Sequence, residues 1–308
     1  MYHILYNPLA CSGKGEENAK KLKDFYKDEE IEFTDVTSLT SETCKDYMAN
    51  IKSGDSLVIC GGDGTLNRAI NEIGLTGRDH DIYYYATGTG NDFMNDIKED
   101  ASNKPVLIDK YIEYLPKVEV NGMTKKFINN VGFGIDGYCT EVGDELAAQN
   151  VKDINYSGIA IKGLLGKFKP ANAKVVIDGH EMEFKKAWLA PTMNGRFYGG
   201  GMMPTPDQDR LNKDHEVSLF VWYGSGKLRT LMAFPSIFKG EHLKHDKMCK
   251  VFTGHDITVT FDKPCPLQID GETVKNVTTY KVSSPAAAAA GSIPNTFAAK
   301  TINFEAAM

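Results

Sequence analysis

Nowhere in the 308 residues do about 18 apolar side chains run together, the length a helix needs to cross a bilayer. No basic stretch followed by an apolar one opens the chain either. Met1 to Asn7 reads instead as a strand, so neither a membrane span nor entry into the secretory path is expected, and the expected location is cytoplasmic. The six cysteines (Cys11, Cys44, Cys60, Cys139, Cys249, Cys265) form no C-x-x-C pair, which points to reduced thiols rather than a disulfide framework. Positive charge is also scarce. A formal net charge of -6 argues against a protein whose main partner is the nucleic-acid backbone, which demands a broad basic surface, so any anionic ligand must be held locally. A Walker A loop is missing as well: Pro8 stands five residues before Gly13, and Gly15 stands where Ser or Thr is required, which excludes a P-loop NTPase.

What is present is ordinary globular composition, 42% hydrophobic and 25% charged, with length for about two domains. Tyr2 to Asn7, Ile31 to Thr37, Leu57 to Cys60 and Ile82 to Ala86 read as strands. Between them Ala19, Leu22, Phe25 and Tyr26, then Cys44, Tyr47, Met48 and Ile51, then Leu66, Ala69, Ile70 and Ile73 each fall on one helical face. This βαβαβαβ grammar predicts a mostly parallel sheet with helices on its faces, an α/β fold.

From about Lys117 the pattern becomes strands joined by tight turns, with Asn121-Gly122 and Asp178-Gly179 flanked by alternating runs. A mainly β second domain follows. Its interruption is Tyr156 to Phe168, where Ile159, Ile161, Leu164, Leu165 and Phe168 predict an amphipathic helix weakened by three glycines. Residues 154–177 carry four lysines and no acid, a pattern suited either to an anionic bilayer surface or to a solvated helix face. Residues 285–308, with five consecutive alanines, match neither domain and read as a tail.

The stretch richest in chemistry is Gly61-Gly62-Asp63-Gly64-Thr65, placed between an apolar strand and a helix. Glycines there leave backbone N–H groups and the positive helix end open to a phosphate. Asp63 would repel phosphate unless Mg²⁺ lay between them. Gly88-Thr89-Gly90-Asn91-Asp92 follows the next strand, and Asn7-Pro8 with Gly13-Lys14-Gly15 follows the first, so all three loops open at one sheet edge. Three other patterns are weaker. Gly132 to Gly137 matches G-x-G-x-x-G but sits among hairpins and reads as a bend. His242, His245 and Cys249 lack a fourth zinc ligand. Asp270-Gly271-Glu272 alone reads as a hairpin turn.

Taken together, Asn7-Pro8 with Gly13-Lys14, Gly61 to Asn67, Gly88 to Phe93, Asn129 to Gly134, Asn194-Gly195, Gly199 to Gly201, Pro206 to Asp214 and Asp270-Gly271-Glu272 resemble, in order, the bacterial soluble diacylglycerol kinase and lipid kinase family. The likeness covers about residues 2 to 284. It implies a Rossmann-like α/β nucleotide domain over 1–114 joined to a β-sandwich lipid-binding domain over 115–284. ATP would lie in the cleft with Mg²⁺, and lipid would enter from an anionic membrane, peripheral to its inner face. Asn7, Lys14, Thr37, Gly61, Gly62, Asp63, Gly64, Thr65, Leu66, Asn67 and Thr89 would hold ATP. Asp63 and Asp92 would serve the magnesium network, Glu272 would be the general base, and Leu211, Asp214 and Glu216 would hold a structural cation.

Phosphoryl transfer needs alignment and charge neutralisation more than covalent chemistry. On that footing the chain reads as a kinase of a lipid hydroxyl, most simply that of diacylglycerol, with homodimerisation plausible. An NAD kinase shares the Gly-Gly-Asp-Gly loop, and a binding module without catalysis is the reading from outside enzymology.

Overall fold

The computed structural model describes residues 1–75, 80–88, 90–97, 104–149, 151, 154–166 and 168–285. The predicted tail beyond 285 lies outside them, as does Thr89.

The first unit is a five-stranded sheet: β1 (Tyr2–Tyr6), β2 (Ile31–Asp35), β3 (Ser56–Gly61), β4 (Ile82–Ala86) and β5 (Val106–Leu107), in the order β2-β1-β3-β4-β5. The first four strands are parallel and β5 runs antiparallel to β4. Successive residues feed opposite faces. Leu5, Leu57 and Ile59 enter one core with Leu66, Ile70 and Ile73, whereas Ile4, Val58 and Cys60 enter the other with Ala19, Leu22 and Tyr26. Phe25 departs from the expected helical face and is 52% exposed.

The second unit is one large antiparallel sheet folded on itself. Its strands are β6 (Lys117–Val120), β7 (Met123–Lys126), β8 (Asn130–Gly134), β9 (Ala171–Ile177), β10 (His180–Ala187), β11 (Leu189–Met193), β12 (Val217–Trp222), β13 (Cys249–Gly254), β14 (Asp256–Ile269) and β15 (Glu272–Ser283). The predicted Asn-Gly and Asp-Gly turns are both there. Asn121 and Gly122 join β6 to β7, and Asp178 and Gly179 join β9 to β10, all four with the positive φ that two-residue hairpins require. Asp270 and Gly271 close the β14–β15 hairpin in the same way. Strand β14 shifts register between Thr260 and Cys265, pairing with β9 through its first half and with β8 through its second.

The glycine motif at 132–137 is more than a bend, because β8 runs directly into helix Ile135–Ala148. Gly132 is needed there: a Cβ would lie 2.4 Å from Pro191 Cα. Among the described residues no strand pairs with β8 in parallel, so no dinucleotide-type βαβ unit forms there. Among the described residues no helix is long and apolar enough to cross a membrane.

Candidate active site

The loops after β1, β3 and β4 meet at the C-terminal edge of the first sheet, where open α/β sheets bind ligands. Gly62 and Gly88 touch backbone to backbone: a Cβ on Gly88 would lie 2.7 Å from Gly62 Cα, and one on Gly62 would lie 3.3 Å from Gly88 Cα. The third loop reaches the same point, since Cys11 Sγ donates to the Thr87 carbonyl at 2.7 Å. Gly15 packs on Asn7 so closely that a Cβ would meet its carbonyl oxygen at 1.8 Å. Lys14 precedes the short helix Gly15–Lys20 and is exposed. Thr37, in the loop after β2, donates its amide and hydroxyl to Asp35.

Asp63 opens helix Asp63–Arg68, yet its carboxylate is turned toward the neighbouring loop. Oδ2 accepts from the Asp92 amide at 2.7 Å and Oδ1 from the Phe93 amide at 3.4 Å, so Asp63 caps the first turn of helix Asp92–Ile97. Asp92 repeats the device one step further, accepting from Gly200 and Gly201 N–H at 2.8 and 2.7 Å. Both of those glycines have positive φ, which presents the two amides side by side. Burial and the nearby Asp92 push Asp63 up to about 7, and burial raises Asp92 as well.

Of the other residues assigned to ATP, Gly61 closes on the Thr65 side chain and Gly64 faces open space. Leu66 lies in the core, where it seats its helix on the sheet. Asn67 is committed to the second unit, donating from Nδ2 to Asp270 Oδ2 at 2.7 Å. Asp270 also accepts from the amides of Ile128, Asn129 and Asn130 at 2.6, 2.8 and 3.0 Å. The Asp-Gly-Glu turn therefore sends Asp270 inward as a brace between the two units. Glu272 points elsewhere: its Oε2 accepts from Lys125 Nζ at 2.6 Å on the exposed side of the hairpin. The structure thus brings Asp63 and Asp92 together and leaves Glu272 without a hydrogen bond to either.

Leu211, Asp214 and Glu216, the residues implied to hold a structural cation, share one loop, which Asn212 braces. The Glu216 carbonyl already accepts from Gln208 Nε2 and Asn212 Nδ2, each at 2.9 Å, and Asn212 Oδ1 accepts from the Glu216 amide at 2.8 Å. Leu211 and Asp214 are exposed. Asn212 fastens this loop by hydrogen bonds, and separately no group of three or more His, Cys, Asp or Glu side chains among the described residues is placed to hold a metal. His242 is likewise no ligand; it is fully buried, with Nε2 3.0 Å from the Pro204 carbonyl.

Two features carried no sequence signal. The first is a buried ion cluster between the units, in which Asp96 receives Arg196 Nε at 2.7 Å and Arg210 Nε at 2.6 Å. Arg210 also donates to Ile128 O and Asn129 Oδ1 and lies over the Phe93 ring. The second surrounds Asp136, in the first turn of helix Ile135–Ala148. Its Oδ1 accepts from the Gly137 amide at 2.9 Å, and Oδ2 has no partner. Tyr198 OH, Asn130 Nδ2 and Gln268 Nε2 are buried without partners too. Gln268 sits near enough to favour the Asp136 anion, but burial dominates and pushes Asp136 up to about 7. Tyr198, raised chiefly by burial, feels both Asp136 and Asp92, so it lies between these two buried carboxylates.

Comparison with known proteins then decides the family. Residues 1–114 match the diacylglycerol kinase catalytic domain, and residues 129–289 match the YegS C-terminal NAD kinase beta sandwich-like domain. The chain belongs to the bacterial soluble diacylglycerol kinase and lipid kinase family. Members it resembles include a diacylglycerol kinase of Mycobacterium tuberculosis, 24% identical over 79% of this chain and 80% of that one. Another is a diacylglycerol kinase of Staphylococcus carnosus, 24% identical over 87% of each chain. A crystal structure of a proposed diacylglycerol kinase from Bacillus anthracis str. Sterne shares the fold, with a TM-score of 0.65 at 20% identity, covering 92% of this chain and 93% of that one. As a member of this lipid kinase family the chain is an enzyme; the first matched stretch holds the five-stranded sheet and the second holds β8 to β15.

Proposed function

We propose that the chain transfers the γ-phosphate of ATP to the hydroxyl of an acylglycerol, most simply diacylglycerol, giving a phosphatidic acid. The observation that carries this reading is the backbone contact of Gly62 with Gly88, which leaves amide-lined loops open at one edge beside two buried carboxylates. Asn7, Lys14, Thr37 and Gly61 to Thr65 line or support that edge and are the residues we assign to the nucleotide. Lys14 supplies a cation for the phosphates on the loop after β1.

Asp63 and Asp92 suit Mg²⁺, because two carboxylates crowded by burial and by each other gain from a cation, and each amide-bonded oxygen keeps a further lone pair. Bound there, the ion would draw charge from the triphosphate. The protein's own part is alignment. Asp63 locks the second loop, Asp92 locks the Gly199 to Gly201 loop, and Asp270 with Asn67 fixes the second sheet against the first. Proton removal falls to Glu272, whose exposed pair with Lys125 has to open for it to reach the hydroxyl.

The test is an acceptor screen with ATP, offering diacylglycerol, monoacylglycerol, a sphingoid base and NAD in turn. Phosphorylated acylglycerol supports the reading. Phosphorylation of NAD, or tight ATP binding without any product, contradicts it.

A further inference from the structure

Helix Asp63–Arg68, which begins at the Gly61-Gly62 loop, runs on through the π-helical turn Ala69–Ile73. Single π turns of this kind are frequent at functional sites. Asn71 lies in that turn, and both ends of its carboxamide are committed. Oδ1 accepts from the Lys126 amide at 2.9 Å, while Nδ2 donates to the Lys126 carbonyl at 2.9 Å and to Asn67 O and Oδ1, each at 3.2 Å. Lys126 is the last residue of β7, which ends the strand order of the second sheet among the described residues. An edge strand presents main-chain donors and acceptors that no neighbouring strand pairs. Asn71 does for Lys126 what such a strand would do. A carboxamide suits the role because it carries a donor and an acceptor side by side, as a peptide group does.

This grip lies beside Glu272. Lys125, the preceding residue, donates from Nζ to Glu272 Oε2 at 2.6 Å. One turn back along the helix, Asn67 donates to Asp270, two residues before Glu272, and Asn71 steadies the Asn67 amide by bonding its Oδ1. Every amide from Lys126 to Asn130 is bound: Lys126 donates to Asn71, Phe127 to the Pro116 carbonyl, and Ile128, Asn129 and Asn130 to Asp270. One face of one helix therefore holds the surroundings of Glu272 from two sides. The other end of that helix opens at the nucleotide loops, roughly 12 Å away along its axis. The Asp96–Arg210 pair already joins the two units; Asn71 adds register, because it grips the main chain of a single residue.

We infer that Asn71 is a positioning residue for phosphoryl transfer: it sets strand β7, and through Lys125 the Glu272 carboxylate, at a fixed distance from the loop that receives the phosphates. The inference rests on the proposed transfer to an acylglycerol with Glu272 as base. It adds that a single helix aligns the phosphate donor and the base together. At reacting groups a misplacement of about 1 Å can cost about 100-fold in rate.

The test compares Asn71→Ala and Asn71→Gln with wild type, alone and combined with E272Q, by transfer of labelled phosphate from ATP to diacylglycerol in detergent micelles, below the melting temperature of each protein. Asn71→Gln keeps the donor and the acceptor but moves the grip outward by one carbon–carbon bond, about 1.5 Å. It carries the test should Asn71→Ala fail to fold. Each substitution should lower kcat by about tenfold or more, with the calorimetric Kd for ATP within about twofold of wild type. Combined with E272Q, the same substitutions should change kcat by less than about twofold, because the group they act through is already removed. Wild-type kcat in Asn71→Gln, a loss of equal size on top of E272Q, or a Kd for ATP that rises as kcat falls would each overturn the inference and leave the acceptor assignment standing. Unlabelled lipid with wild type would instead remove that assignment, and the inference with it.

Discussion

Arg210 and Asp96 meet at 2.6 Å with only 3% of either side chain exposed, joining a helix of the nucleotide sheet to a loop of the second sheet. Removing one partner of such a pair leaves the other charge buried. Arg210→Ala should therefore cost about 3–5 kcal/mol. The Asp96→Asn/Arg210→Met double variant should recover part of that loss. Urea unfolding of the three proteins checks both, and a single variant as stable as wild type would show the cluster to be incidental.

The Gly62–Gly88 contact predicts a steric split between neighbouring glycines. A methyl on Gly88 would lie 2.7 Å from Gly62 Cα and 2.9 Å from Asn91 Oδ1, forcing the loops apart, whereas Gly64 faces nothing within 4 Å. Overpacking of this kind costs roughly 1–3 kcal/mol. Gly88→Ala should weaken ATP binding, measured by calorimetry, by about five- to a hundredfold. Gly64→Ala meets no such clash and should leave the loops in place, melting as wild type does.

Glu272 is exposed and bonded only to Lys125 among the contacts its side chain makes in the described structure, so Glu272→Gln should change stability by no more than about 0.5 kcal/mol. If it takes the acceptor proton, turnover should fall by roughly 10²–10⁴ with KM for ATP unchanged. Steady-state kinetics decide the point, and wild-type turnover in the variant removes Glu272 from the mechanism.

Asp136 gives a pH dependence with a definite sign. Its folded value of about 7 lies above the unfolded carboxylate range near 3.9. The folded state therefore holds the extra proton between these limits. This contribution is complete below about pH 4, is lost as pH rises through 7, and stays lost above it. Melting temperature without metal should fall from pH 4.5 to 7.5, and Asp136→Asn should flatten that slope. A slope of equal size in the variant would assign the proton to Asp63 or another group.

The sequence was most informative where structure is local. Asn121-Gly122, Asp178-Gly179 and Asp270-Gly271 declare their hairpins because two residues of positive φ suffice. Ile4, Leu5, Val58 and Ile59 are all fully buried and alternate between the two cores, as strand periodicity requires. Long-range commitments were illegible. Asp270 and Asn67 are 203 residues apart, and Arg210 and Asp96 are 114 apart, so no spacing rule announces that they bond. The same applies to Glu272: a motif places it beside the cleft, but the twist of the hairpin sends Asp270 inward and Glu272 to Lys125. Asn212, whose side-chain amide bonds both the carbonyl and the amide of Glu216, is a further tie that no motif announces.

The most direct test of the whole account follows the label from γ-³²P ATP into an organic extract after incubation with diacylglycerol in anionic vesicles, for wild type and Asp63→Asn. The account predicts labelled phosphatidic acid from wild type and a loss of about 100-fold or more in the variant, whose altered side chain both weakens the loop lock and removes a magnesium carboxylate. Unlabelled lipid with wild type, or equal labelling by both proteins, would contradict it.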